Sequence, residues 1–470
     1  MIFSSGRLHW AICKGDNRNM SSALPMSDQH ISVFSVPVPS QTGTGSTPLI
    51  HWHEGGGDHS AGWRSERGAP PPKRVVLADD TTTADTAYRL ACEGTALLWR
   101  GDFHNARQLL QALARRADNT PARKRKKAAA PVALADAFNL HRLAQSQRSR
   151  MLGMLLVPFN ADYSIPLRRA PDVRLACAEA WGPAPAQLDG THAAAGESGT
   201  PPARDAPDAA EQMDGKDGKG GSGASMASLR ELLGITSAHE WRKKGVEIAA
   251  LGDPPNNRIH PHYGVFSPLR GEYIHLVATA HLPKPPSGQT SLTAFDIGTG
   301  TGVLAAVLVR RGVGQVVATD QDLRSLACAR DNLARLGVAD KVQVVRTDLF
   351  PEGRASLIVC NPPWLPARPS APIERAVYDE GGRMLKGFIT GLGAHLAPKG
   401  EGWLVLSDLA EHLGLRTRAG LLAAFEDSGL RVVSRIDAKP QHPKASDASD
   451  ALFAARSREV TSLWRLAAIQ

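Results

Sequence analysis

Four consecutive residues carry the most explicit chemistry in this chain: Asn361-Pro362-Pro363-Trp364. The side-chain oxygen of Asn361 and the main-chain carbonyl of Pro362 can each accept one N–H of a planar NH2 group. Two such acceptors draw the hydrogens out of plane. They free a nitrogen lone pair that is otherwise delocalised, as in an amide or an amine on an aromatic base. The prolines hold the carbonyl in place because their ring fixes φ. Trp364 offers a ring against which a flat substrate can stack. The chemistry this allows is attack by nitrogen on an electrophile aligned with it, and that alignment supplies much of the rate. No dedicated general base is required, since the proton becomes acidic once the nitrogen is alkylated. Asn361, Pro362 and Trp364 are the catalytic candidates.

A second centre precedes the tetrapeptide. Thr293-Ala294-Phe295-Asp296-Ile297 is a short apolar stretch, Gly298-Thr299-Gly300-Thr301-Gly302 a glycine-rich turn, and Val303–Val309 a helix. Strand, turn and helix make the first unit of a doubly wound sheet, and glycine lets a ligand approach the backbone closely. The spacing is G-x-G-x-G rather than the G-x-G-x-x-G of a dinucleotide turn, and a glycine turn alone is weak evidence. A second strand, Gln315–Asp320, ends in an acid that can accept both ribose hydroxyls of a nucleoside, which suits a nicotinamide cofactor as well as other nucleosides. A helix follows from Ser325 to Leu336. Val342–Val345 forms a third strand leading to Asp348-Leu349, and Ser356–Cys360 a fourth running into the tetrapeptide.

This order of motifs resembles the class I S-adenosylmethionine-dependent methyltransferases, in the branch that bears a (D/N/S)-P-P-aromatic tetrapeptide. The resemblance covers about 220 residues, from roughly Leu251 to Gln470. It implies S-adenosyl-L-methionine as cofactor, with Asp296, Gly298 and Gly300 around the methionine part and Gly302 among the cofactor-binding residues. Asp320 would hold the ribose, and Asp348 and Leu349 would flank the adenine. It implies a Rossmann-like α/β sheet of seven strands in the order 3-2-1-4-5-7-6. The later strands are read at Gly402–Ser407, Leu430–Ile436 and Ser462–Ala467, with a helix through Leu421–Phe425.

Within the class, the release-factor glutamine methyltransferases are most similar. They share Asn-Pro-Pro-aromatic, a following proline (Pro366), an acid (Glu374) and a Gly-Gly segment, here Asp379-Glu380-Gly381-Gly382. Trp364 replaces their usual tyrosine, and Ser356 stands where an Asp is usual. The resemblance therefore implies N-methylation of a planar NH2 on a macromolecule, with a protein glutamine first. An exocyclic amine of adenine or guanine in rRNA, tRNA or DNA is the alternative, because it presents the same planar donor. A cofactor-binding, RNA-associated scaffold without catalysis is a reading of another class, disfavoured by the intact tetrapeptide. A nicotinamide oxidoreductase is disfavoured likewise. Arg270 and Glu272 fall where relatives carry a segment near the cofactor, Cys360 is expected to pack inside the sheet, and His412 and His442 receive no role.

The elements around this domain are read from composition. The net charge of +9 favours an anionic partner such as RNA or a ribosomal surface. Five cysteines, at positions 13, 92, 177, 328 and 360, form no C-x-x-C pair, so no zinc site or disulfide framework is expected and the compartment is read as cytoplasmic. No apolar run reaches the ~18 residues of a membrane span, and no signal peptide is apparent. Residues 1–78, rich in Ser, Gly, Pro and His, are expected to be disordered, with Met20 or Met26 as possible starts and no metal role for His51, His53 and His59. Residues 79–182 are expected to form a small, mainly helical basic domain. Its helices run through Ala87–Leu98, Phe103–Leu113 and Ala133–Leu152, with a basic run at 123–127 and a face (His141, Arg142, Arg148, Arg150) suited to RNA or ribosome contact. Residues 183–226 read as a linker, and 227–470 as the methyltransferase domain.

Overall fold

The computed structural model describes residues 47–119, 133–186, 223–285, 287–369, 372–440 and 452–469. Cys13, Met20, Met26, the basic run 123–127, most of the 183–226 stretch and His442 lie outside them.

The C-terminal half folds as its motifs imply. Its seven strands are β9 (Thr293–Ile297), β10 (Gln315–Asp320), β11 (Val342–Arg346), β12 (Ala355–Cys360), β13 (Leu396–Ser407), β14 (Leu430–Ala438) and β15 (Thr461–Ala468). They lie side by side as β11-β10-β9-β12-β13-β15-β14, which in chain order is 3-2-1-4-5-7-6. All neighbours run parallel except β15, which is antiparallel to both β13 and β14. Alternation along the strands supplies two cores, because successive side chains point to opposite faces. Leu357 and Val359 join Val303, Val307 and Tyr273 on one face, whereas Ile358 and Cys360 join Phe388, Ile389 and Leu392 on the other. Cys360 is fully buried, and burial pushes its thiol well above the ordinary range, so it packs as a small apolar residue.

The N-terminal half departs from expectation. Residues read as disordered contain β1 (Leu49–Glu54), β2 (Gly57–Trp63) and β3 (Arg74–Ala78). With β4 (Thr95–Trp99), β5 (Leu155–Phe159) and β6 (Ser225–Ser228) they form a six-stranded sheet ordered β1-β2-β6-β5-β4-β3. Residues 79–182 are mainly helical, as expected, but they also contribute β4 and β5 to a sheet whose other strands lie outside those bounds. Helices α1 (Ala84–Cys92), α2 (Phe103–Asn119), α3 (Leu134–Leu152), α4 (Arg174–Trp181) and α5 (Leu229–Lys244) accompany this sheet. Leu97 and Leu98, read as part of the first helix, belong to β4, whose five residues are all buried. A fully buried strand shows no alternation and is easily mistaken for a helix segment. The β1–β2 hairpin turns on Gly55 and Gly56, both with left-handed φ (+61° and +81°), a tight-turn signal masked by the polar composition around it. The 183–226 stretch ends inside β6, which slots between β2 and β5.

A short pair, β7 (Val246–Glu247) and β8 (Arg258–Ile259), leads into α6 (Gly271–Thr279), α7 (Val303–Arg310), α8 (Leu323–Arg335) and α9 (Arg383–His395). Arg324 of α8 meets Glu66 of the N-terminal unit at 3.0 Å. Among the described residues no helix is long and apolar enough to cross a membrane.

Candidate active site

A cavity of about 720 Å³ opens where the sheet's strand order reverses, between the carboxyl ends of β9 and β12. Crevices at that position are where open α/β sheets take ligands. Asp296, Gly298, Gly300, Asp320, Asp348, Leu349, Asn361, Pro362 and Trp364 all line it. The tetrapeptide and the acids at the ends of the first strands therefore share one chamber.

Asp296 ends up almost fully buried beneath the glycine turn. One carboxylate oxygen accepts from the Thr299 hydroxyl at 2.6 Å and the Ala305 N–H at 3.1 Å. Burial outweighs these donors and pushes its pKa up to about 6. Asp320, at the tip of β10, accepts from Gly300 N–H at 3.1 Å and Asp322 N–H at 2.9 Å, and burial raises it as well. Both acids are thus held by backbone donors, facing a water-poor space that a cation or a pair of hydroxyls would satisfy. Gly298 has φ +71°, a left-handed conformation that glycine adopts without strain, and the Met384 methyl lies over the turn.

Gly302 is not part of the cavity lining. It has φ +80° at the start of α7, and a Cβ would stand 3.2 Å from the Ala329 Cα on α8. Its missing Cβ allows close packing of α7 against α8. On the far side, Asp348 pairs with Arg383 at 2.8 Å and accepts from Gln321. Leu349 adopts a left-handed φ of +66°, with its carbonyl receiving the Thr319 hydroxyl at 2.7 Å. Such strain persists only where the surroundings impose it, and it concentrates at functional sites.

The indole N–H of Trp364 donates to the Asn361 side-chain oxygen at 2.9 Å. An indole can only donate, so the atom facing it must be the amide oxygen, which keeps a second lone pair for a substrate N–H. Behind the indole stands Arg270, its guanidinium carbon 4.7 Å from the Trp364 ring centre. Arg270 is itself buried and gripped by Glu272 at 2.5 Å and Glu459 at 3.0 Å, while Glu459 also accepts from Ser407 at 2.7 Å. Arg270 lines the cavity; Glu272 does not, and serves as its counter-ion. Glu459 went unread because it lies 189 residues from Arg270 and has no local motif. Asp379 was read only as part of a shared Gly-Gly segment. It accepts from Met384 and Leu385 N–H groups at 2.9 and 3.1 Å, fixing the start of α9. His412 sits away from the cavity lining, against Asp408 and the Arg458 carbonyl. Among the described residues no His/Cys/Asp/Glu cluster could hold a metal.

This sheet order, with an acid-glycine turn after the first strand and Asn-Pro-Pro-Trp after the fourth, defines a class I methyltransferase fold. Residues 256–428 match the methyltransferase small domain. A ribosomal protein L11 methyltransferase from Pelotomaculum thermopropionicum is 51% identical over 146 residues, covering 30% of this chain and 39% of that protein. A release factor glutamine methyltransferase from Cereibacter sphaeroides is 33% identical over 162 residues, covering 31% of this chain and 56% of that protein. The chain therefore spans roughly half or less of these relatives' length. Among solved structures, a ribosomal protein L11 methylase from Lactobacillus delbrueckii aligns over 39% of this chain and 73% of that one at 19% identity. Its TM-score is 0.27.

The residues present fit the cofactor. The cavity lies within the ~300–1,000 Å³ typical of small-molecule sites. Its buried carboxylates and the Cβ-free surface at Gly298 suit a cationic amino acid joined to a nucleoside.

Proposed function

We propose that this chain N-methylates a planar NH2 group of a macromolecule, and that the acceptor is a protein glutamine side chain. The observation that carries the proposal is the Asn361 oxygen, fixed by the Trp364 N–H in the same cavity as Asp296 and Asp320. When bound, S-adenosylmethionine supplies a methyl group on a positively charged sulfur. Asp296 and the Gly298–Gly300 backbone would hold its methionine part, Asp320 its ribose, and Asp348 with Leu349 its adenine edge. Asn361 and the Pro362 carbonyl would accept the two N–H hydrogens of the acceptor amide, turning its lone pair toward the cofactor side. Trp364 stacks against the planar group and, backed by Arg270, keeps the Asn361 oxygen aimed. Two related proteins are named for action on a release factor and on a ribosomal protein, which supports a protein acceptor from the translation machinery.

The nucleic-acid alternative draws on Arg346 and Arg375 at the cavity and on the net charge of +9. Part of the expected basic face is engaged internally: Arg142 lies 3.7 Å from the Glu374 carboxylate, and Arg148 pairs with Asp118. That weakens the case for phosphate docking through the N-terminal unit.

The test is incubation with tritiated S-adenosylmethionine and cell extract, followed by protease or nuclease treatment and hydrolysis of the labelled fraction. Label in protein, released as a methylated glutamine, supports the proposal; label in RNA moves the assignment to a base amine. Asn361→Ala should abolish transfer while cofactor binding by calorimetry stays within about threefold. Transfer that survives Asn361→Ala would reject the tetrapeptide as the acceptor site.

A further inference from the structure

The acceptor-side wall of the cavity is built from the chain that follows the tetrapeptide, with Leu365, Arg375, Ala376 and Val377 in its lining. Backbone bonds close this segment on itself: Leu365 N–H to the Val377 carbonyl at 3.2 Å, Asp379 N–H to the Leu365 carbonyl at 2.9 Å, and the Val377 and Tyr378 N–H groups to the Glu374 carbonyl at 2.9 and 2.8 Å. Further support comes from the other unit. Phe138 of α3 is 1% exposed and packs among Leu365, Leu409, Leu413 and Leu452, with Val377 and Tyr378 beside it. One turn along, on the same helix face, Arg142 sets its guanidinium 4.0 Å over the Tyr378 ring. It also donates to the Arg368 carbonyl at 2.7 Å and lies 3.7 Å from the Glu374 carboxylate. The far end of α3 belongs elsewhere: Met151 and Leu152 sit in the N-terminal core. Thirteen residues of helix, about 20 Å at 1.5 Å per residue, separate Phe138 from that core. The helix therefore spans from one unit's interior to the other's active-site wall.

We propose that the N-terminal unit is a working part of the active site, in which Phe138 and Arg142 act as positioning residues that hold residues 365–369 and 372–379 in their acceptor-binding shape. This deepens, and rests on, the methyl-transfer reading above. It gives the N-terminal unit a role that does not depend on contact with RNA. Loosening α3 releases the acceptor wall without touching the residues around Asp296 and Asp320.

The experiment uses the full chain with Arg142→Ala, Phe138→Ala and Phe138→Leu, and Arg148→Ala as a control on the same helix that pairs within its own unit. Hydrogen exchange of residues 365–369 and 372–379, tritium transfer from S-adenosylmethionine into extract acceptors, and calorimetric cofactor affinity are measured for each. Arg142→Ala and Phe138→Ala should speed exchange in these stretches about tenfold and lower transfer five- to twentyfold, with cofactor affinity within twofold. Phe138→Leu should recover most of the transfer, and Arg148→Ala should leave these stretches protected. Unchanged exchange and transfer in Arg142→Ala would overturn the inference, as would an equal loosening of these stretches by Arg148→Ala. Should Phe138→Ala fail to fold, Arg142→Ala decides alone. If the wild-type chain labels no acceptor, the methyl-transfer reading fails, and exchange in these stretches still decides whether α3 holds the wall.

Discussion

Replacing Trp364 by Phe separates two things the indole does. Phe keeps an aromatic face beneath Arg270, which stands 4.7 Å from the ring centre in the native chain. It removes the N–H that reaches the Asn361 oxygen at 2.9 Å. A neutral hydrogen bond of this kind is worth about 0.5–1.5 kcal/mol net. If the bond serves to aim Asn361 at the acceptor, that energy is lost in the transition state, and each ~1.4 kcal/mol is a tenfold change in rate. The expected result is a two- to tenfold fall in the single-turnover rate with tritiated S-adenosylmethionine and saturating acceptor. Cofactor affinity should hold within about twofold, because the contacts of Asp296 and Asp320 are untouched. Trp364→Ala also removes the stacking face and should fall further, beyond tenfold. A Trp364→Phe enzyme with an undiminished rate would refute the idea that the indole N–H orients Asn361. A variant that loses cofactor affinity instead would place Trp364 on the cofactor side of the cavity.

Other consequences follow from the same geometry. Asp296, raised to about 6 by burial, should be protonated in acid and unable to pair with a cationic ligand. Cofactor affinity should therefore fall by up to about tenfold per pH unit below 6 and level off above it, and Asp296→Asn should flatten that calorimetric profile. The folded pKa stands above the ordinary carboxylate value of 3.8, so the same group should make the ligand-free protein lose stability as pH climbs from about 4 to about 6. Asp320→Ala deletes two acceptor oxygens and should weaken cofactor binding about 10- to 100-fold, from the ~1.5–3 kcal/mol typical of charge-assisted hydrogen bonds. Gly302→Ala forces a side chain into φ +80° against the α8 backbone. It should cost about 1–2 kcal/mol or more in urea unfolding while leaving cofactor affinity within about threefold, and a large affinity loss in a stable variant would place Gly302 at the cofactor.

Much of the methyltransferase half was legible along the chain because its signals are contiguous. Strand, glycine turn and helix follow one another at 293–309, Asp296 is the penultimate residue of β9 and Asp320 the last of β10, and Asn-Pro-Pro-Trp follows β12 directly. Hydrophobic runs of that kind announce buried strands, and the resemblance they support carried the order of all seven. What local pattern reports is that a face is buried, not what it is buried against. Leu97 and Leu98 are apolar in a helix or a strand alike, and only pairing with Leu155 and Leu156 across the six-stranded sheet makes them β4. The mostly polar hairpin at 49–63 becomes strand because β6, arriving from the far side of a long connection, gives it an edge to pair with. Gly302 looks like its neighbours in sequence, and only the approach of Ala329 from α8 shows that its missing Cβ also serves helix packing. The ion cluster behind Trp364 joins residues 189 positions apart, and the hold of α3 on the acceptor wall joins two units. Residue type and spacing thus decided which groups could react, whereas long-range pairing and close packing decided how those groups are held and by what.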